Sequence, residues 1–525
     1  MAMHRACQSE DNMKLFTKKT EDEHEKDPGR VRVRVVHLNE DEDEESAVKE
    51  PPAKRGRNTE LSILTWLFSI LFVSLAGYMV WFNVSDRRTT LLNNPYNSKQ
   101  DTSSDRIIRG SIITENGTVL ASTQVDYTGN EIRSYPYANI FAHTVGYATN
   151  GKAGLEASGN SILMGSHSSL LNQLKNARDS QKVRGDSLIV TLRPDLQQAA
   201  YYALGGFNGA VVVMEPDSGR ILAMVSRPDF DPGSIAWTWE DMVGDSSSSA
   251  LLNRASQGLY PPGSTFKILT ALAYLRQQGN AYDDFLYDCT GILERENVMI
   301  TCYNSTVHGQ ETLKNAFANS CNTAFATIGL ELDNSAFRKL CEDFMFNKSL
   351  PLDLPYSQSV FALSRNSGEG DQMTTAIGQG ETLVTPLHMA MITCAVANSG
   401  VLMKPFLVSR VETSEGNLVQ ETRPEIAAQL MSVDEAETIS SFMRATVTEG
   451  TGQALSWNSY TVAGKTGSAE YDANGVTGTH SWFTGFSNVD DPDIVVTVIA
   501  EDGGTGSATA VPIAQQIFDA YYSSY

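Results

Sequence analysis

Hydrophobic and polar positions along the chain fall into three regimes. Residues 1–60 are polar and highly charged, with an acidic run at Glu40-Asp41-Glu42-Asp43-Glu44-Glu45 and almost no aromatics. Such a stretch buries too little apolar surface to fold and predicts a solvated tail. Leu61 to Phe82 is a single apolar run of 22 residues without a charge. As a helix rising ~1.5 Å per residue it would span about 33 Å, enough for the ~30 Å hydrocarbon core of a bilayer. Trp66, Tyr78 and Trp81 suit the two interfaces. The run is too long for a signal-peptide core and follows a long tail, which predicts an uncleaved anchor. Lys49, Lys54, Arg55 and Arg57 precede it and Arg87, Arg88 and Lys99 follow it, a slim bias toward a cytoplasmic N-terminus.

The third regime alternates short apolar stretches with turn residues. From Asn83 to Arg193 these read as short strands joined by Asn, Gly and Ser turns. From Pro194 the pattern predicts a helix over Asp195–Leu204, then a hairpin of Gly209–Met214 and Arg220–Val225 around Pro216-Asp217-Ser218-Gly219. A helix-like segment runs from Asn315 to Leu330, and a strand from Tyr460 to Gly464. Asp472-Ala473-Asn474-Gly475 form a loop, His480–Phe486 returns as a strand, Asp493–Ala500 is a strongly apolar strand, and Pro512–Tyr521 is a closing amphipathic helix. The class is α+β, and 525 residues exceed one compact core.

Composition narrows the function. A net charge of −22 with no basic stripe argues against nucleic-acid binding. The six cysteines (Cys7, Cys289, Cys302, Cys321, Cys341, Cys394) are scattered, with no C-x-x-C pair, so no zinc site is expected. No His, Asp and Glu cluster stands at ligand spacing either, and neither metal nor cofactor is expected. Cys289 and Cys302 bracket a short Gly-containing segment; bridged cysteines and free buried thiols both remain open.

The chemistry centres on Leu259-Tyr260-Pro261-Pro262-Gly263-Ser264-Thr265-Phe266-Lys267 and the apolar helical run that follows. The prolines and glycine fix a turn, placing Ser264 at the first turn of a buried helix and Lys267 one turn on. A lysine can take a serine's proton if burial and a nearby cation lower its pKa. Ser320-Cys321-Asn322 and Lys465-Thr466-Gly467 follow in order. S-x-x-K, S-x-N and K-T-G in this order form the signature of the penicillin-interacting serine enzymes. On these motifs the chain resembles a class B penicillin-binding protein, a cell-wall D,D-transpeptidase.

The resemblance extends upstream. Arg109-Gly110-Ser111-Ile112-Ile113-Thr114-Glu115-Asn116-Gly117 is similar to a pedestal motif of that family but has Thr114 and Glu115 where the family usually has Asp and Arg. Tyr135-Pro136 through His143-Thr144-Val145-Gly146-Tyr147, and Gly154-Leu155-Glu156, match two more. Arg109, His143 and Glu156 are read as braces. About 110 residues cannot hold a glycosyltransferase domain as well as a pedestal, so crosslinking without glycan polymerisation is expected. The compact pedestal resembles the short division-associated subtype. The expected organisation is a tail (1–60), an anchor (61–82), a pedestal or dimerisation-type domain (83–193) and a transpeptidase domain (194–525) with an antiparallel sheet flanked by helices. No further C-terminal module is expected.

The resemblance also implies roles. Ser264 attacks the penultimate carbonyl of a D-Ala-D-Ala terminus, with Lys267 as base. Ser320 relays a proton toward the leaving amine with Lys465 behind it, and Asn322 fixes Lys267 and binds the substrate amide. Lys465 and Thr466 face the terminal carboxylate, Gly467 leaves room for a substrate strand, and the N–H groups of Ser264 and Ser468 form the oxyanion hole. Ile377-Gly378-Gln379-Gly380 and Thr385-Pro386 support the site. Cys321, between two site residues, reads by its own chemistry as a candidate reactive thiol or a small buried filler, the filler being favoured. Expected ligands are peptidoglycan stem peptides and β-lactams, and the expected partner is a membrane glycosyltransferase of the FtsW/RodA (shape, elongation, division and sporulation) family. The alternatives are a β-lactamase, a penicillin sensor or a scaffold of the same fold. Glu331-Leu332-Asp333-Asn334 superficially resembles a β-lactamase acidic loop but comes too soon after Asn322.

Overall fold

The apolar run forms one helix, Thr59–Val84, with its side chains exposed from Thr59 to Trp81. It begins two residues before the expected anchor and is long and apolar enough to cross a membrane. This computed structural model describes residues 59–84 and 106–523, apart from 170–171, 173–177, 179–180, 246–248 and 474. The expected tail lies outside the described residues, save for the two that open this helix.

The pedestal is built on a six-stranded sheet that sequence order does not keep together. Strands Ile112–Thr114, Val119–Val125, Glu131–Ser134 and Ser187–Val190 come from the expected region. Val408–Glu412 and Leu418–Glu421, from far down the chain, complete it: Val408 sits opposite Val190, and Arg410 opposite Glu421. A boundary near residue 193 therefore separates the chain but not the sheet. Ile112, Leu120, Leu188 and Val190 are buried together. Above them Glu156, fully buried, receives Arg109 Nε at 2.5 Å and Arg133 Nε at 2.7 Å. At the two departures from the family pattern, Thr114 Oγ1 accepts the Thr118 N–H at 3.0 Å, and Glu115 accepts from Arg220 in the next hairpin. His143 Nε2 contacts the Ala250 carbonyl at 2.8 Å, and Thr144 donates to the Met224 carbonyl at 2.7 Å.

The second sheet has five antiparallel strands in the order Val462–Ala473, Val476–Ser487, Val495–Ala500, Gly209–Met214, Ile221–Arg227. Both faces are covered, so Val495–Ala500 and Gly209–Met214 are near-continuous apolar runs rather than alternating ones. Val211, Val213, Val496 and Val498 pack with helices Pro194–Leu204 and Ala510–Ser523. Ala210, Val212, Val495 and Ile499 pack on the other side with helices Lys267–Gln278 and Pro386–Ala397. The Val462–Ala473 strand is an edge, which leaves one row of backbone groups available to an extended peptide.

One expected element is broken. The segment read as a helix from Asn315 to Leu330 is two helices, Leu313–Ala318 and Asn322–Glu331, with S-x-N at the break. Ser320 has φ +57°, a left-handed conformation that ends the first helix.

Candidate active site

Ser264 lies in a short 3₁₀ turn, Gly263–Phe266, and Lys267 opens the helix behind it. The turn is held from three sides. Gly263 N–H donates to the Gly378 carbonyl at 2.8 Å, Trp482 Nε1 donates to the Pro261 carbonyl at 3.0 Å, and Thr265 Oγ1 closes on the Pro262 carbonyl at 2.7 Å. Gly263 has φ +53°, and a Cβ there would stand 2.8 Å from the Ser468 carbonyl oxygen. Only glycine fits both demands, and the turn therefore abuts the K-T-G strand. Gly467 serves the same contact from the other side, since its Cβ would meet Trp482, Thr265 and Pro262 at 3.0–3.3 Å. The missing side chain thus faces the nucleophile turn.

Lys267 is fully buried, and its amine donates to the Ser320 carbonyl at 2.8 Å, Asn322 Oδ1 at 2.8 Å and Ser320 Oγ at 3.3 Å. The left-handed backbone at Ser320 lets one residue present both its carbonyl and its hydroxyl to the same amine. Lys267 Nζ also lies 5.3 Å from the Phe325 ring centre, and Lys465 Nζ lies 5.6 Å from that of Phe317. These two rings pack edge to face at 6.2 Å. Burial pushes the Lys267 pKa down to about 8, against the fields of Cys321 and Cys302, which raise it. Burial also drives Lys465 well below its ordinary value, and the positive charge on Lys267 drives it further. Charge on Lys267 therefore disfavours charge on Lys465.

The motif residues are therefore gathered, but not all in mutual contact. Lys267, Ser320 and Asn322 form one hydrogen-bonded group. Lys465 donates to the Thr466 carbonyl at 3.1 Å and, among the described residues, makes no hydrogen bond to Ser320. Thr466 Oγ1 shares a 2.5 Å hydrogen bond with Thr451 Oγ1. Ser468 Oγ accepts from the Gly506 N–H at 3.2 Å. Asp333 of the loop that resembles a β-lactamase element caps the helix Asn334–Asp343, accepting from Ala336 N–H at 2.7 Å.

Behind S-x-N, the sulfurs of Cys289, Cys302 and Cys321 converge with a ring nitrogen of His308, all within 4.8 Å of one another. The cysteine spacing along the chain gave no expectation of a metal site; the fold nevertheless assembles a ligand-like set. Cys321, fully buried, is part of this cluster. Cys289 and Cys302 are both free thiols.

Comparison with known proteins follows the same map. A family model described as the penicillin binding protein transpeptidase domain matches residues 209–519. The chain belongs to that family. A second model, the penicillin binding protein A dimerisation domain, matches residues 109–188. The chain is 32% identical over 433 residues to the peptidoglycan D,D-transpeptidase PbpA of Mycolicibacterium smegmatis, covering 77% of this chain and 87% of that protein. Among solved structures it is similar to a D,D-transpeptidase domain from Eggerthella lenta, with TM-score 0.72 and 32% identity over 80% of this chain and 99% of that one. It is also similar to penicillin-binding protein A of M. tuberculosis as a penicillin G acyl-enzyme, with TM-score 0.73 and 27% identity over 79% and 99% of the two chains. This is a class B penicillin-binding protein fold with its pedestal.

Within this penicillin-binding protein the geometry adds Thr451 and Glu501, which motif reading missed, and gives partners to residues that it named. Thr451 holds Thr466. With its amide oriented to suit both groups, Gln379 pairs with the Glu470 N–H and carbonyl at 3.0 Å each, closing the strand edge just past the K-T-G segment. Asn322 Nδ2 donates to the Thr301 carbonyl at 2.9 Å, so its orientation comes from a neighbouring hairpin. Tyr260 OH and Arg254 Nε both bind Glu501 Oε1 at 2.7 Å, bracing the approach to Ser264. Polar residues 15 to 247 positions from their partners carry no local signal.

Proposed function

We propose that this protein is a serine D,D-transpeptidase that crosslinks peptidoglycan stem peptides and is acylated by β-lactams. The observation that carries this reading is the buried Lys267 amine, held by Ser320 and Asn322 one turn from Ser264 and next to a second buried lysine. Ser264 Oγ attacks the penultimate D-Ala carbonyl, and its proton passes to neutral Lys267. The N–H groups of Ser264 and Ser468 receive the developing oxyanion. Ser320 returns a proton to the departing D-Ala nitrogen, leaving an ester on Ser264 that an amine of a second stem peptide resolves. Asn322 hydrogen-bonds the substrate amide, and Lys465 with Thr466 binds the terminal carboxylate. The substrate lies as an added strand along the open edge of Val462–Ala473.

The finer organisation belongs to the same proposal. Residues 1–60 form a cytoplasmic tail, 61–82 a single anchor, 83–193 the pedestal and 194–525 the transpeptidase domain outside the membrane. A membrane glycosyltransferase of the FtsW/RodA family supplies the glycan strands. The test is covalent labelling of the full-length protein by a fluorescent penicillin, wild type beside Ser264→Ala. The expected result is a label that persists for hours on the wild type and is absent from the variant. Label lost within seconds as penicilloate accumulates would make the protein a β-lactamase. No label on either form would leave a silent scaffold.

A further inference from the structure

We propose that Cys289, Cys302, His308 and Cys321 bind a structural zinc ion that fastens the S-x-N motif to the adjoining hairpin. Three donor separations are close to those of a tetrahedral site, and all four donors lie within 4.8 Å of one another. Cys302 Sγ lies 3.7 Å from both Cys289 Sγ and Cys321 Sγ, and His308 Nδ1 lies 3.3 Å from Cys289 Sγ. A tetrahedral zinc with Zn–S of ~2.3 Å and Zn–N of ~2.1 Å sets its sulfurs about 3.8 Å apart and its S–N pairs about 3.6 Å apart. A disulfide needs sulfurs about 2.05 Å apart. Cys302 is equidistant from two partners, so bridging either pair would strand the third thiol. Three soft sulfurs and one imidazole select zinc over the oxygen-seeking cations.

The surroundings are those of thiolates. Thr323 Oγ1 stands 3.2–3.6 Å from all three sulfurs, and the Ala324 N–H points at Cys321 Sγ from 3.5 Å. Such donors around ligand sulfur orient the ligands and offset charge on the cluster. On binding, the ion replaces three thiol protons, which leave to solvent, and takes the lone pair of neutral His308 Nδ1.

The local fold needs such a staple. Cys289 ends the strand Leu286–Cys289, Cys302 follows the strand Val298–Thr301, and His308 precedes Gly309–Thr312. These strands form two separate two-stranded sheets, and Leu286, Ile292, Met299, Tyr303 and Val307 around them are exposed. A segment this short with so small a core is of the kind that a metal commonly holds. The fourth ligand, Cys321, lies between Ser320 and Asn322. The ion thus fixes a residue flanked by the strained Ser320 on one side and by Asn322 on the other. Asn322 is oriented by the Thr301 carbonyl next to Cys302. The four ligands are positioning residues for Lys267, a role that rests on the transpeptidase reading; the metal site itself does not.

The test uses full-length protein purified in detergent without chelator. Inductively coupled plasma mass spectrometry is expected to find roughly one zinc per chain. That zinc is lost in Cys289→Ser and His308→Ala and kept in Cys341→Ala, whose thiol is buried elsewhere. Because a ligand variant can fail to fold, the wild type is also stripped and refilled with Co²⁺. Thiolate charge-transfer and strong tetrahedral d–d bands are expected; the weak bands of a six-coordinate ion would overturn the site. Metal-free protein that still takes up penicillin, with either three alkylatable thiols or a disulfide in a non-reducing peptide map, would also overturn it. Stripping the zinc should slow penicillin acylation about tenfold or more, with recovery on zinc return. Unchanged acylation of protein shown to be stripped would overturn the positioning role alone.

Discussion

Arg109 in the pedestal and Lys267 behind Ser264 are both buried cations, and the fold treats them in opposite ways. Arg109 faces Glu156, which also takes Arg133, in a cluster of opposite charges closed by hydrogen bonds. Burial alone would raise the Glu156 carboxyl, yet the two guanidiniums outweigh it and hold the group below its ordinary range. Lys267 is hydrogen-bonded only to a carbonyl, an amide and a hydroxyl, and burial lowers it against the raising fields of Cys321 and Cys302. A buried charge with its counter-ion is a strut. A buried charge whose hydrogen-bond partners are all neutral gives up its proton more easily, which is what a base requires.

The contrast can be broken by mutation. Lys267→Met should lower the rate of acylation by fluorescent penicillin by roughly 10²–10⁴-fold, the span of lost general-base catalysis. Its Tm should hold or rise, because the substitution removes a buried cation that pairs with no carboxylate among the described residues. A fall of many degrees would place Lys267 among the struts. Glu156→Gln should do the reverse. It leaves Arg109 and Arg133 buried without a counter-charge, a loss of about 3–5 kcal/mol in urea unfolding, while the folded fraction keeps its acylation rate. A slower rate at full stability would make the pedestal cluster part of the chemistry.

Smaller effects sharpen the comparison within the site. Thr451→Val removes the one hydrogen bond to Thr466 Oγ1 from a neighbouring loop. The expected cost is about 1 kcal/mol, read as a few-fold weaker initial binding of penicillin with an unchanged acylation step. An altered acylation step with unchanged binding would contradict the carboxylate-binding role of Thr466.

How far the sequence carried this picture depends on which forces are local. The turn before Ser264 was legible because Pro261, Pro262 and Gly263 act on their own backbone, and the apolar run after Lys267 repeats at helical spacing. The hairpin at Gly209–Arg227 was legible for the same reason, through Pro216–Gly219. The break at Ser320 was not, because a left-handed serine inside a helix-forming stretch is imposed by packing and by what Lys267 requires. The pedestal sheet was only partly legible: Val408–Glu412 alternates like any strand, and nothing local says that its partner is Ser187–Val190. The Cys289–Cys302–His308–Cys321 cluster escaped for a further reason. Its spacings of 13, 6 and 13 residues match no compact ligand motif, since a hairpin and a helix start bring the four together.

The most direct test of the central claim is the pH dependence of the acylation rate constant of the wild type. Burial places Lys267 at about 8, and only its neutral form can accept the Ser264 proton. The rate should therefore fall about tenfold per pH unit below that value and level off above it. The account predicts this limb near pH 8. A rate that is flat from about pH 6 upward, or one still rising toward the ordinary lysine value of about 10.4, would contradict it.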